Sequence, residues 1–203
     1  MKTCTILGTE IAVTTMEETV RYIEEHMEEL RGKYICVSNV HTTVTAYEDE
    51  SYRKVQNGAA FALPDGKPLS LYSKKHGFPE AERVTGPDLM GELFARENGL
   101  THYFYGGSEA TIRTLREKLP KEYPHLKIAG MVSPPYRPLT KEEDAAQVEA
   151  MNASGADIIW IGLGAPKQER YMFEHQGLTQ GVMVGVGAVS YTHLRAHETR
   201  SNL

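Results

Sequence analysis

The 203-residue chain is poor in cysteine, has a deficit of cations and lacks long apolar runs. Its two cysteines, Cys4 and Cys36, form no C-x-x-C pair, which argues against a disulfide framework and a Cys-rich zinc site and suits a reducing cytosol. Lys and Arg total 22 against 27 Asp and Glu, a net charge of −5. That balance lacks the basic footprint of general nucleic-acid binding. No stretch approaches the ~20 apolar residues of a membrane span. The first ten residues hold only a two-residue apolar run, whereas a signal peptide needs ~7–15. We therefore expect a cytoplasmic protein, with binding at a membrane surface left open. No G-x-S-x-G elbow and no P-loop occur, so neither that hydrolase class nor a P-loop NTPase has support.

What is present is ordinary globular usage, 40% apolar and 24% charged, in a length that fits one domain. Thr3–Leu7 and Ile11–Val13 flank Gly8-Thr9 and predict a hairpin. Thr14-x-x-Glu17 predicts a capping box before a helix whose apolar residues are Met16, Val20, Ile23, Met27 and Leu30. Short apolar strands are predicted at Tyr34–Val37, Ala59–Leu63, Thr101–Tyr105, Leu126–Met131, Asp157–Ile161 and Gln180–Val186. Helices are predicted at Val40–Tyr47, Lys67–His76, after Gly86-Pro87-Asp88, after Ser108, after the Thr140-x-x-Glu143 capping box, and near Pro166–His175. Alternating strands and helices with near-continuously apolar strands predict a Rossmann-like α/β fold. Its sheet is mainly parallel with helices on both faces, preceded by a small N-terminal β-hairpin.

In such folds ligands bind beyond the carboxyl ends of the strands, so residues just after strands carry the chemistry. Gly162-x-Gly164 opens a helix near Lys167 and Gln168. Glycines there admit a phosphate to backbone N–H groups, or they serve only the turn; both readings stay open. For Gly106-Gly107-Ser108 a plain capped helix start is the better reading. Asp65, between Pro64 and Gly66, has the position of a general base, although spacing alone favours an Asx turn. Asn39 orients a substrate hydroxyl or caps the next helix. Arg83 pairs with a carboxylate or phosphate, or makes a surface ion pair. His193-x-x-x-His197 with Glu198 has metal-pair spacing but no evident third ligand.

Taken together, several stretches resemble the WecG/TagA/CpsF family of bacterial glycosyltransferases. They are Asn39, Leu63-Pro64-Asp65-Gly66, Glu82–Leu89, Tyr105-Gly106-Gly107, Tyr123-Pro124, Gly162–Glu169 and Gly185-Val186-Gly187. The resemblance implies inverting transfer of an N-acetylhexosamine, typically N-acetylmannosamine, from a UDP-sugar. The acceptor it implies is an undecaprenyl-diphosphate-linked GlcNAc in cell-surface polymer synthesis, such as wall teichoic acid. It further implies no metal or other cofactor, a peripheral position on the inner membrane face, and oligomers of unspecified number. Asp65 matches the proposed base and Asn39 its pocket. Arg83, Gly106, Gly107, Gly162, Gly164, Pro166, Lys167, Gln168, Glu169, Gly185 and Gly187 match the substrate-binding stretches. Two rival readings stand beside it: a truncated, catalytically inactive nucleotide-sugar-binding fragment and, weaker, a Rossmann-type NAD(P) oxidoreductase, which needs a G-x-G-x-x-G turn that the first helix lacks.

The resemblance stops near Ala188, and Ser190 stands where the family places an aspartate. We therefore expect one glycosyltransferase domain over residues 1–188, incomplete at its C-terminal side. Residues 189–203 read as a tail foreign to the family, resembling a translated adaptor sequence, that does not continue the β-α pattern. Its loss of family contacts predicts exposed apolar surface near Val182–Val186.

Overall fold

A computed structural model describes residues 1–194. Strands β1 (Thr3–Ile6) and β2 (Thr9–Ala12) form an antiparallel hairpin. Helices α1 (Met16–Glu25) and α2 (Met27–Leu30) then lead to β3 (Tyr34–Ser38). Next come α3 (Val40–Glu48), α4 (Glu50–Asn57), β4 (Phe61–Pro64), α5 (Lys67–Lys75), α6 (Gly86–Ala95), β5 (Thr101–Gly106), α7 (Glu109–Glu122) and β6 (Lys127–Val132). The chain continues through α8 (Lys141–Ala153), β7 (Ile158–Gly162), α9 (Lys167–His175), β8 (Val182–Gly185) and α10 (Ala188–His193). Among the described residues β3 to β8 form one sheet, ordered β4-β3-β8-β7-β5-β6. Every pairing in it is parallel, as the continuously apolar strands predict.

Alternation along each strand feeds two cores. Ile35, Val37, Phe104, Ile158, Trp160, Val182 and Val184 face helices α1, α6 and α7. Cys36, Tyr103, Tyr105, Ile159, Ile161 and Met183 face the hairpin and helices α5, α8 and α9. Trp160 is fully buried, and its indole N–H donates to His102 Nδ1 at 3.1 Å. A buried indole N–H needs such a partner, since leaving it unmet costs ~1–3 kcal/mol.

Three expectations are corrected. The first capping box sits one residue later: Thr15 accepts from the Glu18 N–H, and Glu18 accepts from the Thr15 N–H. Thr14 is instead buried, with its hydroxyl against Thr19. Val182–Val186 is not an exposed apolar surface. β8 lies between β3 and β7, and Val182, Met183 and Val184 are fully buried. The β-α pattern also does not stop at Ala188: α10 follows β8 and buries Tyr191. The remainder of the expected tail, 195–203, lies outside the described residues, and with it His197 and Glu198.

Candidate functional site

The carboxyl ends of β4, β3, β8 and β7 converge on one cavity of about 650 Å³. Asp65 and Arg83 line it from one side, and Gly164, Gln168 and Gly187 from the other. Asp65 enters because its N–H bonds to the Ser38 carbonyl at 2.8 Å, extending the β3–β4 pairing by one residue. The side chain is about one-third exposed, and Arg83 Nη2 lies 3.4 Å from its Oδ1. Arg83 Nε also donates to the Asp65 carbonyl oxygen. Burial raises the Asp65 carboxyl above its ordinary value, the Arg83 charge partly offsets this, and Asp88 adds to the rise.

Asn39 both lines the cavity and caps α3. Its Oδ1 accepts from the Thr42 N–H at 3.0 Å, and Thr42 Oγ1 accepts from the Asn39 N–H. The cap occupies the amide oxygen and leaves the carboxamide NH2 as the group that can meet a ligand. Gly66 abuts this cap, 3.6 Å separating the place of a Cβ there from Asn39 Cα.

Gly164 and Gly187 both have φ near +80°, and no atom lies within 4 Å of where their Cβ would stand. Their N–H groups converge on a single atom, Gln168 Oε1, at 3.3 and 3.0 Å. Gln168 Nε2 donates to Glu169 Oε1 at 2.8 Å. Both side chains are buried, although Gln and Glu usually face water. Burial raises the Glu169 carboxyl, and hydrogen bonding to Gln168 and the Tyr52 hydroxyl counters it in part.

A second cavity, about 410 Å³, adjoins the first across Ala188 and Val189. Gly107, Ser108, Gly162 and Lys167 line it. Two helices begin here, α7 after its Ser108 cap and α9 at Lys167. Helix N-termini and a lysine together favour an anion.

The family model for the glycosyl transferase WecG/TagA/CpsF family matches residues 4–193. The chain belongs to that family. A Bacillus spizizenii member is 28% identical over 80% of this chain and 62% of its own length. A Bacillus subtilis member is 25% identical over 92% and 73%, and one from Staphylococcus aureus is 26% identical over 90% and 72%. All three bear the name N-acetylglucosaminyldiphosphoundecaprenol N-acetyl-beta-D-mannosaminyltransferase. The chain thus spans between about three-fifths and three-quarters of the length of these relatives.

The family stretches divide by use. Asp65, Asn39, Arg83, Gly164, Gln168, Glu169 and Gly187 gather at the larger cavity, Gly107, Gly162 and Lys167 at the smaller. Gly106 and Gly185 line neither and serve packing. A Cβ on Gly106 would stand 2.4 Å from the Gly162 carbonyl oxygen, and one on Gly185 2.6 Å from Met172 Cε. Pro166 follows a cis peptide bond, lines neither cavity and stands at the N-cap of α9. Gly162 also makes room, since its Cβ would sit 2.7 Å from the Tyr191 ring. Tyr191 seals that junction through its hydroxyl, which donates to the Trp160 carbonyl at 2.8 Å. Sequence reasoning missed Tyr52 and Gln56 beneath the site, as well as Ser190, Ala188 and Val189 on its wall. Among the described residues no group of three or more His, Cys, Asp or Glu is placed to hold a metal. No helix among them is long and apolar enough to cross a membrane.

Proposed function

We propose that the chain carries the catalytic domain of an inverting glycosyltransferase. It moves an N-acetylhexosamine, N-acetylmannosamine by similarity to its relatives, from a UDP-sugar to an undecaprenyl-diphosphate-linked GlcNAc. The product belongs to cell-surface polymer synthesis. The work takes place at the inner face of the membrane, where a lipid-linked acceptor resides, and calls for no metal.

The observation that carries this reading is the single cavity shared by Asp65 and the turns after β7 and β8. In the reaction an acceptor hydroxyl attacks the anomeric carbon while the bond from that carbon to the UDP oxygen breaks on the opposite face. Asp65 accepts the hydroxyl proton, a contribution of ~10²–10⁴-fold. A raised carboxyl is a stronger base than an ordinary one, and the Arg83 charge favours its ionised form against the burial that raises it. Charge builds on the departing diphosphate. Lys167 and the N-termini of α7 and α9 are suited to stabilise it, and on this reading UDP takes the smaller cavity and the transferred sugar the larger.

The test is transfer from UDP-ManNAc and UDP-GlcNAc to a short-chain lipid diphosphate-GlcNAc. A β-linked disaccharide from one donor supports the reading. UDP binding without product from either donor overturns it in favour of a nucleotide-sugar-binding protein.

A further inference from the structure

Buried polar side chains lie beneath the larger cavity in two hydrogen-bonded runs. Ser38 Oγ donates to Gln56 Oε1 at 2.7 Å, and Gln56 Nε2 donates to the Tyr52 hydroxyl at 2.9 Å. The Tyr52 hydroxyl faces Glu169. From the other side, Gln168 Nε2 donates to Glu169 Oε1, and Gln168 Oε1 collects the N–H groups of Gly164 and Gly187. Ser38, Gln56, Tyr52, Gln168 and Glu169 are all at most 4% exposed. Glu169 Oε2 is buried without a partner in bonding geometry.

The direction of these bonds is informative. Gln168 donates to Glu169 from one flank, and its amide has one orientation that serves all its neighbours. Flipping its amide would aim NH2 at two backbone N–H groups and a carbonyl oxygen at a carboxyl oxygen 2.8 Å away. The two glycine turns have no side chain of their own to fix them. One acceptor atom therefore joins the turn after β7 to the turn after β8.

We infer that Glu169 is a positioning residue for sugar transfer: by fixing the Gln168 amide it holds the Gly164 and Gly187 turns together across the cavity that faces Asp65. This rests on the glycosyl-transfer reading above. It assigns Gln168 to the protein rather than to the ligand, because its carbonyl is already spent on the two turns. A buried, half-satisfied carboxyl is costly, and a leucine of similar bulk would pack there without that cost. The position keeps an acceptor because the amide beside it must not turn.

A pair exchange tests this. In Gln168→Glu two carboxyls abut, and like charges at this distance raise the pKa of the pair. UDP affinity and transfer fall about tenfold or more at pH 8, and transfer recovers as pH drops and one proton bridges the pair. The double variant Gln168→Glu/Glu169→Gln restores a donor at 169 and an acceptor at 168. It returns both quantities to within about threefold of the parent and restores the parent's pH profile. Amide shifts of Gly164 and Gly187 follow the same order, displaced in the single variant and restored in the double. A double variant no better than the single, or a Gln168→Glu variant that transfers normally at pH 8, overturns the inference. If the parent shows no transfer at all, the glycosyltransferase reading falls, while the glycine shifts and UDP affinity still decide whether the two side chains form this pair.

Discussion

Arg83 grips Asp65 twice: its Nε donates to the backbone carbonyl oxygen, and its Nη2 stands 3.4 Å from Oδ1 of the carboxylate. The backbone bond fixes the residue, and the charge acts on its pKa. Burial lifts the Asp65 carboxyl and Arg83 pulls it back. Removing the guanidinium therefore leaves the lift unopposed. Arg83→Met should move the acid limb of the transfer profile to higher pH, so that activity lost at pH 6 is partly regained at pH 8. A parallel drop at both values would assign Arg83 to substrate binding alone.

Asp65→Asn should abolish transfer while UDP still binds with its parental affinity. A raised native carboxyl also makes the ionised form unfavourable in the folded state. Stability contributed by the protonated form is present at low pH and lost as pH rises toward the native value. The asparagine variant should consequently be as stable as the parent, or more so, at pH 7.5. Thermal melts of both at that pH check the sign.

His102 is buried, and burial lowers its pKa to about 4. It accepts the Trp160 N–H through Nδ1, which a neutral ring does and a protonated ring cannot. In the unfolded chain the ring titrates near its ordinary value of about 6.5. Folding stability should therefore fall as pH drops from about 6.5 toward 4 and should lose no more from this group below that. His102→Asn keeps an acceptor for the indole and removes the titration. Urea melts at pH 7 and 4.5 should show a smaller difference for that variant than for the parent.

The glycines make a graded set. Gly106 has φ +128°, and its Cβ would stand 2.4 Å from a backbone oxygen that has nowhere to go. Gly106→Ala should cost more than ~2 kcal/mol in denaturant unfolding. Gly164 also has a positive φ but open space around it, so Gly164→Ala should cost only the ~1–2 kcal/mol of the left-handed conformation. Gly162→Ala meets the Tyr191 ring, and Tyr191→Ala in the same chain should relieve part of its cost. Equal losses for Gly106→Ala and Gly164→Ala would contradict this packing.

How much of this the sequence carries depends on whether a residue follows its type. Ile158–Ile161 and Tyr34–Val37 are apolar throughout, and such runs become inner strands of a parallel sheet. Helix α4 does not follow type. Asp49 caps it and Tyr52, Val55 and Gln56 share its buried face, but two apolar residues in eight make a repeat too short to stand out. Asp65 and Asn39 were legible as residues after strands, but whether they face a ligand or only a turn is decided by which strands are neighbours. Gln168 and Glu169 were legible through the family stretch, yet their inward direction was not, because nothing local distinguishes a buried amide from a solvated one. Tyr191 lies past Ala188, where the expected resemblance ended although the family model runs on to residue 193, and its burial comes from the space left above Gly162.

The central claim is that Asp65 takes a proton from an acceptor sugar in the cavity it shares with the turns after β7 and β8. The direct test compares the parent chain with Asp65→Asn for transfer of N-acetylhexosamine from its UDP donor to a short-chain lipid diphosphate-GlcNAc, with UDP affinity measured on the same samples. The account predicts product from the parent, none from the variant, and equal UDP binding by both. Product formed at the parental rate by the asparagine variant would contradict it.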